Sequence, residues 1–418
     1  MVRAPRPSPS QSDPSRIAME AVQAGDLRTA FEFFAKAVNE DKRNASHRYN
    51  FALCAEQVGE IEAAAREYSN ALHLDRNHKE APRRLASVLR RYDLHNWSVL
   101  DQMGLAAAFR AWQVDTQPLA HAALQWLKSQ TQLGALLGEG ADKGYEAVAR
   151  RIVVERPEAI FGHELLTSAL ALGINKLPDV EHLLTAVRRV LLLEAGPERL
   201  TDRTMHMLAM CLAEHGLATG YVWITRADED AAAAKPVDLA AVRSGNVEAA
   251  NALLLRAMYQ PLAQICEGRL LARDANSVRP KAFRDLLVQH LTQAEEEQRL
   301  AANIPRLGAP IADATSKIVA DHYAAYPYPR WTNVQPTAPG AMQRALSRFF
   351  PQEKLAFMNA PFDVLVAGCG TGHQPVDMAL SFGANAQVLG VDLSRPSLAY
   401  ASRIAAANGI KTVALAQA

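Results

Sequence analysis

The sequence predicts a multidomain chain: an all-α solenoid through most of its length, then the first half of a doubly wound α/β sheet. Three observations predict it. The segments "AGDLRTAFEFFAKAVNEDKRN" and "VGEIEAAAREYSNALHLDRNH" align along their whole length at a spacing of 34 residues. From about 94 to 305, apolar residues recur at intervals of three and four and strand signals are almost absent. At 362–374, "FDVLVAGCGTGHQ" runs an apolar stretch into three alternating glycines, the way a strand hands over to a ligand-binding turn.

At 418 residues the chain is long enough for two to four domains. Residues 1–13 are rich in Pro and Ser and lack an apolar core, so they read as a disordered tail rather than a signal peptide. The formal net charge of +1 argues against a dedicated nucleic-acid binder. Cys54, Cys211, Cys266 and Cys369 are widely spaced without a CxxC pair, which fits reduced thiols in a cytoplasmic protein and no metal centre. No apolar run approaches the length of about eighteen residues that a membrane span needs.

Residues 14–93 carry the repeats, with helices expected at 14–24, 27–40, 45–57 and 61–73. Gly25 and Gly59 permit the tight bend between helices. Ala30 with Ala64, and Ala37 with Ala71, allow close helix approach, while Phe34 and Tyr68 fill the gap to a neighbour. A third unit starts with "KEAPRRLASVLRRY" at 79–92 and then loses the pattern. This period and composition resemble the tetratricopeptide repeat (TPR). On that resemblance the concave face would present Tyr49, Asn50, Leu53 and Glu56. Asn50 and Arg84 fall at two positions of a carboxylate clamp, but Ser15, Met19 and Glu80 occupy the others, and Glu80 would repel a carboxylate. A general protein-docking surface is the preferred reading.

Residues 94–305 read as a further helical, solenoid-like domain, with start signals at Asp179 and at Thr201-Asp202. "DED" at 228–230 and "EEE" at 295–297 are expected on a solvated loop and a solvated helix face. Residues 306–361 form a connector and lead-in: a Pro/Gly boundary, a helix at about 313–325, the extended aromatic stretch "YPYPRW" and a helix at 340–350. Tyr326, Tyr328, Arg330 and Trp331 could wall a ligand or glue the helical part to the α/β part.

Residues 362–418 complete the organisation. "VLVA" reads as a parallel strand buried on both faces, and "AQVLGVD" as a second strand ending in Asp392. "KTVALA" begins a third, after a helix with Ser394 as N-cap. The order β-α-β-α-β is Rossmann-like. Gly368, Gly370 and Gly372 let backbone approach a ligand, and Asp392, twenty residues after Gly372, can accept hydrogen bonds from both hydroxyls of a ribose. That suits NAD or S-adenosylmethionine. A dinucleotide turn reads GxGxxG and would need glycine at His373, so the GxGxG spacing favours S-adenosylmethionine (SAM).

"GCGTG" followed by "GVDLS" closely resembles the class I SAM-dependent methyltransferases. Together with the repeats, the helical segment and "YPYPRW", the chain looks like the bacterial methyltransferases that carry N-terminal TPR repeats. The resemblance implies a methyltransferase in which Gly368, Gly370 and Gly372 line the methionine and ribose side of the cofactor and Asp392 holds the ribose. The repeats would recruit a protein partner or protein substrate. The pattern departs at Val366, where the family commonly has an acidic residue. Because the chain stops at Ala418 in the third strand, the resemblance implies a truncated form, lacking the acceptor site and its catalytic groups and inactive as it stands. The alternative is a helical scaffold that binds partner proteins, with a vestigial nucleotide-binding part.

Overall fold

The computed structural model describes residues 13–112, 114–155, 159–308, 313–325, 327–332, 334, 337–338 and 340–418. Contacts group the chain into two compact units, 1–132 and 133–418. The expected helical segment 94–305 is thereby divided: its first part packs with the repeats, and the rest shares a unit with the connector and the α/β part.

The first unit holds α1 (Pro14–Gln23), α2 (Leu27–Glu40), α3 (Ala45–Val58), α4 (Ile61–Leu74), α5 (Ala81–Arg91), α6 (Gln102–Phe109) and α7 (Thr116–Gln130). The helices α2 and α4 begin and end 34 residues apart, as the repeat requires. Asp26 and Asn44 cap α2 and α3 by accepting from the N–H groups of Thr29 and His47. Ala30, Ala64, Phe34, Tyr68, Ala37 and Ala71 are all buried, so the repeated positions are the packing positions. Residues 94–132 join this unit for a local reason. A Cβ at Gly104 of α6 would stand 1.8 Å from the Ser69 carbonyl oxygen of α4, so only glycine lets the two backbones meet. The Asp101 N–H donates to Ser69 Oγ at 2.9 Å beside it.

The second unit opens with α8 (Leu133–Lys143), α9 (Tyr145–Arg150), α10 (Glu164–Leu172), α11 (Pro178–Val190), α12 (Arg203–Thr219), α13 (Ala227–Ala233), α14 (Leu239–Arg243), α15 (Val247–Ala257) and α16 (Leu262–Cys266). The long α17 (Lys281–Asn303) comes next, then α18 (Ala314–Ala325), α19 (Ala341–Leu346) and α20 (Gln352–Leu355). Glu229, expected in a solvated loop, is fully buried. Its carboxylate accepts from Arg189 Nε at 2.8 Å and from the Tyr259 hydroxyl at 2.9 Å. Arg188, also buried, lies 4.7 Å above the Trp223 ring and 4.3 Å above the Tyr259 ring. A charge this deep persists because it is paired and hydrogen-bonded.

The α/β part runs β1 (Phe362–Ala367), α21 (His373–Phe382), β2 (Ala386–Asp392), α22 (Arg395–Ala407) and β3 (Val413–Gln417). The strands are parallel in the order β1-β2-β3, with Val364 opposite Val388 and Val388 opposite Val413. Val366, Val388, Ala379 and Leu398 form the core between the sheet and its helices. The outer edge of β3 is covered by the segment after α17, through Gln417 N–H to Pro305 O and Leu307 N–H to Gln417 O, each 2.8 Å. The expectation that "VLVA" is buried on both faces is corrected: Leu365 is 65% exposed. Asp363 and Ala367, on the same face of β1 as Leu365, are exposed as well, so burial is confined to the face that carries Val364 and Val366.

Candidate functional site at the glycine turn

The turn after β1 is built on left-handed backbone. Gly368, Gly370 and Gly372 have φ of +65°, +54° and +79°, a region closed to most side chains. Beyond Gly368 and Gly370 a Cβ would meet nothing within 4 Å, whereas at Gly372 it would stand 2.4 Å from Ala401 Cβ of α22. The first two glycines therefore leave free space at the turn, and the third lets the turn lie close against α22 at Ala401. Gly390, inside β2, has the same use: its Cβ would meet Leu415 Cδ2 at 2.8 Å and Cys369 Sγ at 3.1 Å. The sequence carried that signal as an isolated glycine within a strand pattern.

Asp392 stands at the tip of β2, beside the turn. One carboxylate oxygen accepts from the Gly370 N–H and the other from the Ser394 N–H, both at 2.8 Å. A carboxylate offers about four lone-pair sites, so two remain for a ligand. The four residues expected from sequence divide accordingly: Gly368, Gly370 and Asp392 line one cavity of about 740 Å³, while Gly372 stands behind it at the helix packing. Val366 is 5% exposed and lies in the core, away from the cavity. Burial, and then the Asp392 carboxylate, push the Cys369 thiol up to about 12.

The connector supplies the rest of the wall. Tyr328, Pro329 and Tyr323 of α18 line the cavity with Thr371, His373 and Ser394. Thr371 Oγ1 donates to Pro329 O at 2.7 Å, and Trp331 Nε1 donates to Thr371 O at 2.8 Å. Ser394 Oγ donates to Tyr323 O at 3.1 Å. The Trp331 ring meets His373 edge-on at 5.4 Å, and the Tyr400 hydroxyl donates to Trp331 O. Arg330 reaches Glu297 of α17 at 2.7 Å, and Arg403 of α22 reaches the same oxygen at 2.9 Å. Glu297 is thus a pairing residue and not part of a solvated face. Within "YPYPRW", Tyr328 lines the cavity, Arg330 links Glu297 of α17 to Tyr400 of α22, and Trp331 packs on the α/β part through His373 and Tyr400. Tyr326 lies outside the described residues. Thr371, Tyr323 and the Pro329 carbonyl were not singled out from sequence, since only folding brings their partners close.

Residues 361–418 match the family model described as a methyltransferase domain. No curated protein matches the chain. The matched residues begin at the foot of β1 and include the glycine turn, Asp392 and all three strands. The match supports a class I methyltransferase.

Proposed function

We propose that this chain belongs to a SAM-dependent methyltransferase whose repeats dock a protein partner or protein substrate. The observation that carries the reading is the pairing of Asp392 with a turn held open by Gly368 and Gly370. The donor set fits: the carboxylate has acceptor capacity left for ribose hydroxyls, and backbone at the glycines can approach a ligand closely. Bound there, SAM supplies a methyl group already activated on a sulfonium. The protein's own part is to bind, orient and exclude water. Asp392 accepts from the ribose, and Tyr323, Tyr328 and Pro329 close one side. The Cys369 thiol, pushed up to about 12, stays protonated at neutral pH and does not compete as a nucleophile.

The 34-residue repetition of helical hairpins supports the docking role and the TPR resemblance. Glu56, on the face expected to be concave, is engaged by the Tyr68 hydroxyl, Arg91 and Arg84, so Arg84 is tied to a carboxylate within the chain. That favours a general docking face over a carboxylate clamp. The four cysteines are free thiols, in keeping with a cytoplasmic setting, and no helix among the described residues is long and apolar enough to cross a membrane.

Isothermal titration of the chain with SAM tests the reading. Asp392→Ala is expected to weaken binding by about 1.5–3 kcal/mol, the usual loss for hydrogen bonds to a charged group. Tight NADH binding without any response to SAM would overturn it.

A further inference from the structure

The helical part of the second unit contains another cavity, of about 550 Å³, that the methyltransferase reading does not use. One face of α17 lines it at helical spacing, through His290, Leu291, Ala294, Glu297, Gln298 and Ala301. Leu262 of α16, Leu270 and Leu291 give it a buried apolar floor. That size and lining are those of a small-molecule site.

Charge narrows the ligand class. Arg330 lines the cavity, but its guanidinium is already 2.7 Å from Glu297 and 4.5 Å above the Tyr400 ring. His290 Nε2 lies 3.6 Å from Glu214. At the rim, exposed Glu295 and the side chains of Gln264, Gln293 and Gln298 have no ion pair or hydrogen bond among the described residues. An anion entering here would find its cations taken. A cation would find a free carboxylate and amide oxygens.

Neighbouring residues of one thin wall face the two cavities. Tyr323, Tyr328, Pro329 and Ser394 line the glycine-turn cavity, while Ala324, Pro327, Arg330 and Pro396 line this one. We propose that the α17 cavity binds a small apolar amine, and that its occupancy is felt at the glycine turn through the shared wall. The binding stands on this cavity alone; the coupling rests on the SAM reading.

The test uses the purified chain with Nile red as an apolar reporter, displaced by 4-phenylbutylamine, 4-phenylbutanol or 4-phenylbutyrate. The amine is expected to displace the dye at a concentration at least fivefold below that of the carboxylate, with the alcohol between. Glu295→Gln, at an exposed position, should narrow that gap to less than twofold. Ala294→Trp and Ala301→Trp, which fill the cavity from the α17 face, should each weaken dye and amine at least tenfold with helical circular dichroism retained. SAM should shift the amine midpoint at least threefold. Equal displacement by amine and carboxylate, an unchanged gap in Glu295→Gln, or both tryptophan variants binding like the parent would overturn the site. SAM binding that leaves the midpoint unmoved would overturn the coupling alone. No SAM binding at all would sink the cofactor reading, with the amine series still deciding the site.

Discussion

In the repeats, Gly25 and Gly59 turn the chain between helices at φ of +80° and +87°, and a Cβ at either would meet nothing within 4 Å. In the α/β part, Gly372 has nearly the same φ, +79°, but its Cβ would stand 2.4 Å from that of Ala401. The repeat glycines are needed for backbone conformation alone. Gly372 is needed for conformation and for close packing together, and Gly390 for packing alone. Identical residues in similar turns therefore differ in what replaces them. An asparagine tolerates the left-handed region and should serve in the repeats, where space is open. Nothing larger than glycine serves at Gly372 without moving α22.

Four substitutions at three positions test the comparison of these regions, from the largest effect to the smallest. Gly372→Ala should cost about 3 kcal/mol, combining left-handed strain with overpacking. Urea unfolding monitored by circular dichroism measures it, and a loss below about 1 kcal/mol would mean that the contact between the turn and Ala401 relaxes easily. Gly59→Val should cost about 2 kcal/mol through strain in the helical turn, and Gly59→Asn less than about 1 kcal/mol. Both should leave SAM titration unchanged; equal losses for Val and Asn would show that space, not φ, governs the repeat turn. Leu365→Ser should change stability by no more than about 0.5 kcal/mol, because the side chain it removes is already mostly in water. A cost above about 1.5 kcal/mol in the same unfolding measurement would show that the open sheet face is covered in solution.

Where structure is encoded locally, the sequence was a close guide. The expected helix at 27–40 is α2 to the residue, "AQVLGVD" is the whole of β2, and Ser394 does cap α22, accepting from the Ser397 N–H. Such features depend on residues within a turn or two of one another: apolar spacing, a capping side chain, a glycine at positive φ. Gly368, Gly370 and Asp392 were legible for the same reason, since a strand, its turn and the next strand tip stand in order along the chain. "VLVA" misled because its composition records apolarity and not which face finds a partner.

Long-range packing set the remainder. Glu229 and Glu297 look alike in sequence to the acids beside them, yet each is drawn out of solvent by arginines distant in the chain. Glu297 meets Arg403 across 106 residues and Arg330 across 33. The Pro329 carbonyl finds Thr371 42 residues on, which makes the connector a wall of the cavity. No periodicity or cap encodes such pairs, because their partners meet only once α17, the connector and α22 have packed. Residue order was enough to specify the repeat period, the glycine turn and the carboxylate beside it. Which acids are buried, where the units divide and what closes the site were fixed by the packed chain, since those depend on contacts between segments that no local pattern relates.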